Sequence, residues 1–241
     1  RDFKVKDRNF YLNGKKIYLY GENLPSVRYG GYGKNPDEEY ADAAEKIQGF
    51  KSLGYNIIRN PHMPILPRII DIMDECGLML YDEWAWSFTA SLDETCFEAI
   101  NLKEMTEWVH NDYKHACVVA WSCGNEGVHK NSAYVHEQLD KQVQKLRELD
   151  KSGRPVGSFS GSASFGSYGK GKLDTDFLDL HTYLGLSAPA WTFWDKSAAR
   201  NYGDAVEIYG KNGKLEMPYI IWECVGFSWG ARSDASFKLN D

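Results

Sequence analysis

Residues 116–126 read ACVVAWSCGNE, an apolar run that passes into a turn of small residues and ends in a carboxamide beside a carboxylic acid. The run Cys117–Trp121 is apolar throughout, as is typical of a parallel strand that is buried on both faces. In barrels of parallel strands, active sites are built at the carboxyl ends of the strands. An Asn-Glu pair in a loop is usually ordinary surface polarity, but Asn125 and Glu126 follow a buried strand directly. We therefore interpret both as candidate site residues.

Short β-rich runs alternate with amphipathic stretches along the chain. The strand candidates are Ile17–Tyr20, Asn56–Ile58, Leu78–Tyr81, Cys117–Trp121, Pro155–Phe159, Phe177–His181 and Tyr219–Trp222, and the helix candidates are Pro36–Leu53, Leu66–Cys76, Glu98–His115 and Ser132–Lys151. This alternation predicts an α/β fold with a parallel sheet. No glycine-rich phosphate loop follows the first strand, which disfavours a doubly wound nucleotide-binding sheet and favours a (β/α)8 TIM barrel.

The expected barrel has eight strands, whereas the chain offers seven candidates. Residues 223–241 are polar and hold no convincing strand, with Phe227–Trp229 or Phe237–Leu239 as the alternative closing strand. We therefore predict a barrel truncated before its eighth strand. Residues 1–15 are expected to be a junction from a preceding domain, and residues 16–241 the barrel. A hairpin is expected at residues 206–217, around an Asn-Gly turn.

The composition limits the partners and the chemistry. Lysine and arginine number 28 against 34 acidic residues, a net charge of −6, which argues against nucleic acid or an anionic membrane as partner. No apolar run approaches the roughly 18 residues that span a bilayer. The five cysteines lack metal-ligand spacing, so we expect buried free thiols rather than a zinc site or a disulfide framework.

The aromatic content of 14% is high, with 8 Trp and 15 Tyr. A large core absorbs many such rings, and this is the simpler interpretation. Several tryptophans, however, lie just beyond strand ends in otherwise polar segments. Because flat rings with a polar tip stack well on sugar rings, Trp84, Trp86 or Trp222 is expected to present a ring face at the mouth of a pocket.

Two segments resemble the signatures of glycoside hydrolase family 2. Residues 111–126 are similar to the second signature, with a charged, aromatic and basic lead-in, three apolar residues, Trp-Ser and then Asn-Glu. Residues 56–64, NIIRNPHMP, are similar to the first signature, and GLMLY follows at residues 77–81. The family usually has a small residue where Pro61 stands and Tyr where Met63 stands. The two signatures occur in the family's order and spacing.

The resemblance implies a retaining β-glycosidase that acts on terminal β-linked sugars. It implies that Glu126, after the fourth strand, is the acid/base and that Glu223, at the end of the seventh, is the nucleophile. Such a mechanism needs two carboxyl groups roughly 5–5.5 Å apart, which only the closure of a barrel brings together here. Arg59 is expected to keep the nucleophile ionised, and Asn125 to contact the sugar 2-hydroxyl. Further substrate contacts are expected from His62, Asp82, Trp84, His181, Tyr183 and Trp222, with pairing to Arg59 or lysines as the alternative for Asp82 and Glu83.

We expect the protein to use no cofactor. The first strand ends in Gly21-Glu22-Asn23-Leu24-Pro25, without the Arg-His that many family members carry, and no magnesium ligand set can be assembled. A magnesium or sodium requirement stays open. The expected partners are an oligosaccharide or glycoside substrate and β-sandwich domains of the same polypeptide.

Two other functions compete with this one. An endo-acting relative of the same clan, similar to a cellulase or mannanase, would have an open aromatic cleft, and a carbohydrate-binding barrel would lack catalysis. The sequence leaves the sugar open, and also whether the protein acts in the cytoplasm of a bacterium or is periplasmic or secreted.

Overall fold

The computed structural model describes residues 1–24, 35–86, 96–126, 132–161, 172–182 and 202–224. The strands are β1 (Phe3–Lys6), β2 (Asn9–Leu12), β3 (Lys15–Ile17), β4 (Gly21–Asn23), β5 (Ile57–Arg59), β6 (Met79–Glu83), β7 (Val118–Ser122), β8 (Val156–Gly157), β9 (Leu178–Thr182), β10 (Gly210–Lys211), β11 (Lys214–Leu215) and β12 (Tyr219–Cys224). The helices are α1 (Pro36–Ser52), α2 (Pro67–Cys76), α3 (Phe97–Asp112), α4 (Ser132–Leu149) and α5, of which residues 202–209 are described.

In the described part of the chain, seven parallel strands form the predicted barrel. Strands β4 to β8 make one sheet in chain order, and β9 pairs with β12. A parallel bridge between Ser160 and Asp179 joins the end of β8 to β9. On the other side, the side-chain Nδ2 of Asn23 on β4 donates to the backbone carbonyl of Trp222 on β12 at 3.2 Å. The strands therefore curve round until the first and the seventh approach each other. The expected closing segments, 227–229 and 237–239, lie outside the described residues.

The first barrel strand differs from the prediction. Lys15–Ile17 belongs to a small antiparallel sheet, β1-β2-β3, and the barrel begins instead at Gly21–Asn23. The intervening backbone is held by Asn56. Its Oδ1 accepts from the amide of Tyr20, its Nδ2 donates to the carbonyl of Tyr18, and its backbone amide donates to the carbonyl of Tyr20. The apolar appearance of residues 17–20 is therefore misleading, since Tyr18 and Tyr20 are 78% and 59% exposed.

The antiparallel sheet covers the amino-terminal end of the barrel. Its Phe3 and Phe10 rings stack on each other, and Phe10 packs edge-on against Phe177 inside the barrel. Ile57 and Met79, at the starts of β5 and β6, belong to the same apolar cluster. Apolar burial thus closes the end of the barrel opposite the expected site. That residues 1–15 join the barrel to a preceding domain stays a prediction.

The helices begin and end within a few residues of the predicted bounds. Asn35 caps α1 by accepting from the amides of Asp37 and Glu38, and Gly77 ends α2 in the left-handed region that favours glycine. The predicted hairpin is shorter than expected. β10 and β11 flank an Asn212-Gly213 turn with positive φ at both residues, but residues 206–209 continue a helix.

Cys117 and Cys123 are buried free thiols, as predicted, whereas the free thiol of Cys76 is only partly buried and Cys96 is exposed. The side chain of Cys224 lies outside the described residues. Among the described helices, none combines the length and the apolar character needed to cross a bilayer.

Two residues that the sequence assigned to the site, Asp82 on β6 and Trp84 directly after it, face outward from the barrel. Asp82 points toward α3 and accepts from the Trp108 indole at 3.0 Å, and the Trp84 indole donates to Asn101 of α3 at 2.6 Å. Both are buried between the sheet and the helix. The expectation that Asp82 and Trp84 contact substrate is therefore corrected: successive side chains of a strand point to opposite faces, and the inward position belongs to Glu83.

Asp82 has an unusual neighbour for a buried carboxylate. Burial, and then the adjacent carboxyl of Asp112, raise its pKa well above the ordinary value. The buried Asp150 also accepts from an indole, that of Trp121, at 2.8 Å, but it is paired with Arg154 at 2.8 Å. Burial would raise the pKa of Asp150, yet its hydrogen bonds outweigh this and lower it. The two aspartates are thus a matched pair with opposite electrostatics.

Asp82→Asn is expected to stabilise the fold at about pH 8. A carboxyl whose folded pKa is raised binds more protons in the folded state, so stability falls as pH rises from about 4 through the folded pKa. The amide keeps the acceptor for Trp108 and needs no proton, so the denaturant midpoint should rise most at high pH and least at about pH 4. Asp150→Asn is the control and should lose roughly 3 kcal/mol, because Arg154 keeps an uncompensated charge. A lower midpoint for Asp82→Asn at about pH 8 would contradict the argument.

Candidate active site

The inward-facing residues at the carboxyl ends of the strands meet in one place. Arg59 ends β5, Glu83 ends β6, Glu126 lies just beyond β7, and His181 and Glu223 lie on β9 and β12. Strand alternation points Arg59, Glu83 and His181 into the barrel. A β-bulge between Ile221 and Glu223 interrupts the alternation in β12, so Glu223 also faces inward. All but Glu223 are buried, and the Glu223 side chain is 18% exposed. The site thus lies where barrels of this kind place their chemistry.

A fully buried ion pair joins β5 to β6. Arg59 donates from Nε and Nη2 to the two carboxylate oxygens of Glu83, at 2.8 and 2.9 Å. Glu83 also accepts from the backbone amide of His62 at 2.6 Å and from the hydroxyl of Ser122 at 3.1 Å. Burial would raise the pKa of Glu83, but Arg59 and the bond from His62 outweigh it and hold the pKa below its ordinary value. The pair is therefore ionised.

Arg59 also reaches two of the predicted site residues. Its Nη1 donates to Glu223 Oε1 at 2.8 Å, and its Nη2 donates to Asn125 Oδ1 at 2.6 Å. Burial alone would lower the pKa of Arg59, but the carboxylates of Glu83, Asp179 and Glu223 outweigh it and raise the pKa above its ordinary value. Glu223 thus lies against a permanent cation, as predicted, which favours its ionised form.

The turn after β7 lies in close contact with the backbone of Trp86. At Gly124, with φ +146°, a Cβ would lie 2.4 Å from the carbonyl oxygen of Trp86, so a side chain does not fit. The amide of Asn125 donates to the same carbonyl at 2.7 Å. Glu126 has a φ of +40° and donates its amide to the carbonyl of Ser160 at 3.1 Å. The small residues of the sequence thus place Asn125 and Glu126 in the barrel mouth.

Glu126 ends a chain of buried hydrogen bonds. Its Oε1 lies 2.5 Å from His181 Nδ1, and His181 Nε2 lies 2.7 Å from the hydroxyl of Ser160. Ser160 donates this hydroxyl to Asp179 Oδ2 at 2.6 Å. Both ring nitrogens of His181 therefore contact protein side chains. This corrects the expectation that His181 is a sugar ligand, because the geometry directs its ring to Glu126.

Glu126 and Glu223 face each other across the mouth. One carboxylate oxygen from each and a ring nitrogen of His181 all lie within 4.8 Å of one another. The predicted meeting of the two glutamates is confirmed by this geometry. The three side chains also have the composition of a metal-ligating group. However, the 2.5 Å between His181 and Glu126 is a hydrogen-bond distance, whereas tetrahedral ligands of one zinc ion lie roughly 3.3 Å apart. As arranged, the residues fit a hydrogen-bonded pair better than a metal site.

The predicted aromatic mouth is not found among the described residues. Trp84, Trp86 and Trp222 are only 7%, 3% and 8% exposed. Trp222 stacks on Tyr81 inside the barrel at 5.9 Å, with its neighbour Glu223 in the site. These rings serve the core, so the expectation that one of them presents a face at the mouth is wrong. Other tryptophans of the aromatic excess, Trp191, Trp194 and Trp229, lie outside the described residues.

Two further predicted residues have different outcomes. His62 lies beside the site with a left-handed backbone, φ +74°, and its Nδ1 is 3.7 Å from Glu83. Contact between His62 and substrate stays a prediction. Tyr183 lies outside the described residues.

Sequence reasoning missed Ser160 and Asp179. The available signal was a carboxylate at an inward position within the apolar run Phe177–Leu180, two residues before His181 and therefore on the same face. Ser160 gave no such signal, because it follows the two-residue strand β8 inside a Gly/Ser-rich stretch. Its place depends on backbone bridges to Asn125 and Asp179, which only the folded structure reveals.

Comparison with known proteins agrees with this geometry. The family model described as glycosyl hydrolases family 2, TIM barrel domain, matches residues 3–223. The chain is 28% identical over 223 residues to a putative β-glucuronidase of Formosa agariphila, covering 92% of this chain and 25% of that protein. It is 30% identical over 235 residues to a β-galactosidase of Thermoanaerobacter pseudethanolicus, covering 94% and 26%. The chain thus spans about a quarter of the length of these relatives.

Solved structures establish the fold. A β-glucuronidase from Ruminococcus gnavus in complex with D-glucaro 1,5-lactone superposes with a TM-score of 0.70 at 19% identity, covering 92% of this chain and 37% of that chain. A β-galacturonidase from Eisenbergiella tayi bound to galacturonate gives 0.72 at 19% identity, covering 98% and 40%. The predicted TIM barrel is therefore confirmed.

The buried Arg59–Glu83 pair gives a stability test. Arg59→Met leaves Glu83 buried without its cation and is expected to lower the free energy of unfolding by about 3–5 kcal/mol. Adding Glu83→Gln removes the uncompensated charge. The amide oxygen can keep the bond from the His62 amide, and the amide nitrogen can donate to the Ser122 hydroxyl. The double variant should therefore be more stable than Arg59→Met alone in urea unfolding. A single variant within about 1 kcal/mol of the wild type would show that the pair is not needed to hold the fold.

Proposed function

Because the chain belongs to glycoside hydrolase family 2, we propose that the protein hydrolyses terminal β-linked sugars by a retaining mechanism, with Glu126 as acid/base and Glu223 as nucleophile. The observation that carries the proposal is the facing pair of carboxylates, with oxygens within 4.8 Å of each other at the mouth of the barrel. Retaining glycosidases hold their two carboxyl groups roughly 5–5.5 Å apart, whereas inverting ones need about 6.5–9.5 Å to admit a water. The short separation favours double displacement.

The surroundings of the two glutamates support opposite roles. Glu223 accepts a hydrogen bond from the Arg59 guanidinium, so the ionised form that attacks carbon is favoured. Glu126 contacts the imidazole of His181, which can accept a proton from it or donate one to it. An acid/base must hold a proton in one step and lose it in the next.

The reaction proceeds in two balanced steps. Glu126 gives its proton to the glycosidic oxygen while Glu223 attacks the anomeric carbon, which releases the leaving group and forms a glycosyl-enzyme ester. Glu126 then takes a proton from water, which attacks the same carbon and frees Glu223. Asn125 is buried and its Nδ2 has no hydrogen-bond partner among the described residues, so it can donate to a sugar hydroxyl. This chemistry uses no cofactor.

The names of the relatives guide the choice of substrate. They comprise β-glucuronidases, β-galactosidases and a β-galacturonidase, so we test aryl β-glycosides of these sugars together with β-mannosides. Because the relatives are about four times as long as this chain, we also propose that β-sandwich domains of the same polypeptide accompany the barrel.

Two substitutions separate the roles of the glutamates. Glu223→Gln should abolish turnover of every substrate, by about 10⁴-fold or more, because no carboxylate remains to form the ester. Glu126→Ala should lose about 10²–10⁴-fold on glycosides with poor leaving groups. It should lose far less on dinitrophenyl glycosides, whose leaving group needs little protonation.

Initial rates with matched dinitrophenyl and methyl glycosides measure the difference. Glu104→Gln, an exposed glutamate on α3, is the control and should retain the wild-type rate. Equal losses for Glu126→Ala and Glu223→Gln on dinitrophenyl glycosides would contradict the assigned roles.

A further inference from the structure

We propose that Asp179 is a second site for the proton that Glu126 holds. Ser160 and His181 connect the two carboxyls by hydrogen bonds, and a change of the His181 tautomer moves the proton between them. The proposal rests on the acid/base role of Glu126 proposed above. Asp179 and Ser160 act through His181, so they are positioning residues of the reaction.

The connection is an unbroken series of short hydrogen bonds. Asp179 Oδ2 to Ser160 Oγ is 2.6 Å, Ser160 Oγ to His181 Nε2 is 2.7 Å, and His181 Nδ1 to Glu126 Oε1 is 2.5 Å. None of the four residues is more than 6% exposed. Solvent therefore competes poorly with the bonds, and the protons must be arranged consistently along the whole series.

When His181 is neutral, counting donors leaves two arrangements. A hydroxyl has one proton, and a neutral imidazole has one N–H. When Asp179 is ionised, Ser160 donates to it, His181 Nε2–H donates to Ser160, and Nδ1 accepts from a protonated Glu126. When Asp179 is protonated, it donates to Ser160, Ser160 donates to Nε2, and Nδ1–H donates to an ionised Glu126.

The two arrangements differ by the net transfer of one proton, which takes three steps: from Glu126 to Nδ1, from Nε2 to Ser160, and from Ser160 to Asp179. Each bond is kept, with its donor and acceptor exchanged, and the total of protons and the net charge are unchanged. The proton leaves Glu126, and one arrives at Asp179. Glu126 can thus be presented as an acid in the first chemical step and as a base in the second, while its hydrogen bond to His181 persists.

Asp179 is suited to holding a proton. Burial, the largest cause, raises its pKa to about 6, against the opposing effects of Arg59, His181 and Ser160. Its Oδ1 lacks a hydrogen-bond partner among the described residues, so no donor fixes the ionised form at this atom. The titratable and charged groups facing this part of the barrel are Arg59 on β5, Tyr81 and Glu83 on β6, His181 on β9, and Glu223 of β12 beside His181.

The pair should titrate as a unit, which a pH profile can detect. Loss of the shared proton sets the alkaline limb of kcat/KM, and its apparent pKa belongs to both carboxyls. Asp179→Asn removes one of the two carboxyls that share the proton and one nearby negative charge, and both changes make the shared proton easier to lose to solvent. The alkaline limb should move to lower pH by about one unit, with KM changed by less than about twofold.

Substitutions at Ser160 test the link itself. Ser160→Ala should lower kcat by about tenfold on poor leaving groups and less on dinitrophenyl glycosides. Ser160→Thr keeps the hydroxyl and should restore most of this loss. Ser158→Ala, which truncates a buried serine two residues earlier, is the matched control and should leave the profile in place.

A double-mutant cycle distinguishes proton transfer through Ser160 from the through-space electrostatic effect of the Asp179 carboxylate. If the proton passes through Ser160, Asp179→Asn should shift the limb much less in the Ser160→Ala background than in the wild type. Equal shifts in both backgrounds would overturn the proposal, because the carboxylate would then act through space alone.

Nitrogen NMR of histidine-labelled protein tests the relay without substrate. In the wild type near neutral pH, the ring nitrogens of His181 should report exchange between the two tautomers, and Asp179→Asn should move them toward the Nε2–H form. Unchanged shifts would overturn the proposal. A protein that hydrolyses no glycoside but shows this response would refute the proposed function alone, since the relay would still be present.

Discussion

The buried guanidinium of Arg59 is the interaction on which the site depends. It donates to Glu83, Glu223 and Asn125, and so joins the ends of β6 and β12 and the turn after β7 to its own strand. Burying such a charge costs several kcal/mol unless the geometry is close to ideal. A planar fork with five donors meets this requirement for several partners at once, which the single ammonium of a lysine does not. The barrel therefore has to close in one register for the charge to be satisfied.

This arrangement gives the two facing glutamates different surroundings. Arg59 is a permanent cation and lies on the side of Glu223, where it favours a negative charge. On the side of Glu126 lies the imidazole of His181, which is hydrogen-bonded to a hydroxyl and through it to a second carboxyl. One oxygen of Glu126 and one of Glu223 are within 4.8 Å, yet their hydrogen-bond partners come from opposite walls of the barrel. The fold thus gives two identical side chains the different surroundings that their proposed roles require.

The sequence was sufficient to predict the barrel and to place Glu126 and Glu223 at strand ends, because the signals for both are local. The hydrophobic periodicity of strands and helices is recognisable in short stretches of sequence, and Glu126 and Glu223 both follow apolar runs directly. The first strand was misplaced because Tyr18 and Tyr20 are bound mainly by the side chain of Asn56, with a single backbone bond from Asn56 to Tyr20, and these residues are far apart in the chain. The aromatic rings were misjudged for the same reason, since ring burial depends on which helix covers each strand.

The adjacent residues Asp82 and Glu83 show what limits such reasoning. Both are carboxylates at the end of β6, and both are fully buried. Glu83 faces inward, meets Arg59 and has its pKa lowered, whereas Asp82 faces outward, meets Asp112 and has its pKa raised. A shift of one position along a strand reverses the face, and with it the sign of the electrostatic effect. The residue type therefore determines which chemistry is available at a strand end. The direction in which the pleated strand points that side chain determines whether it enters the site.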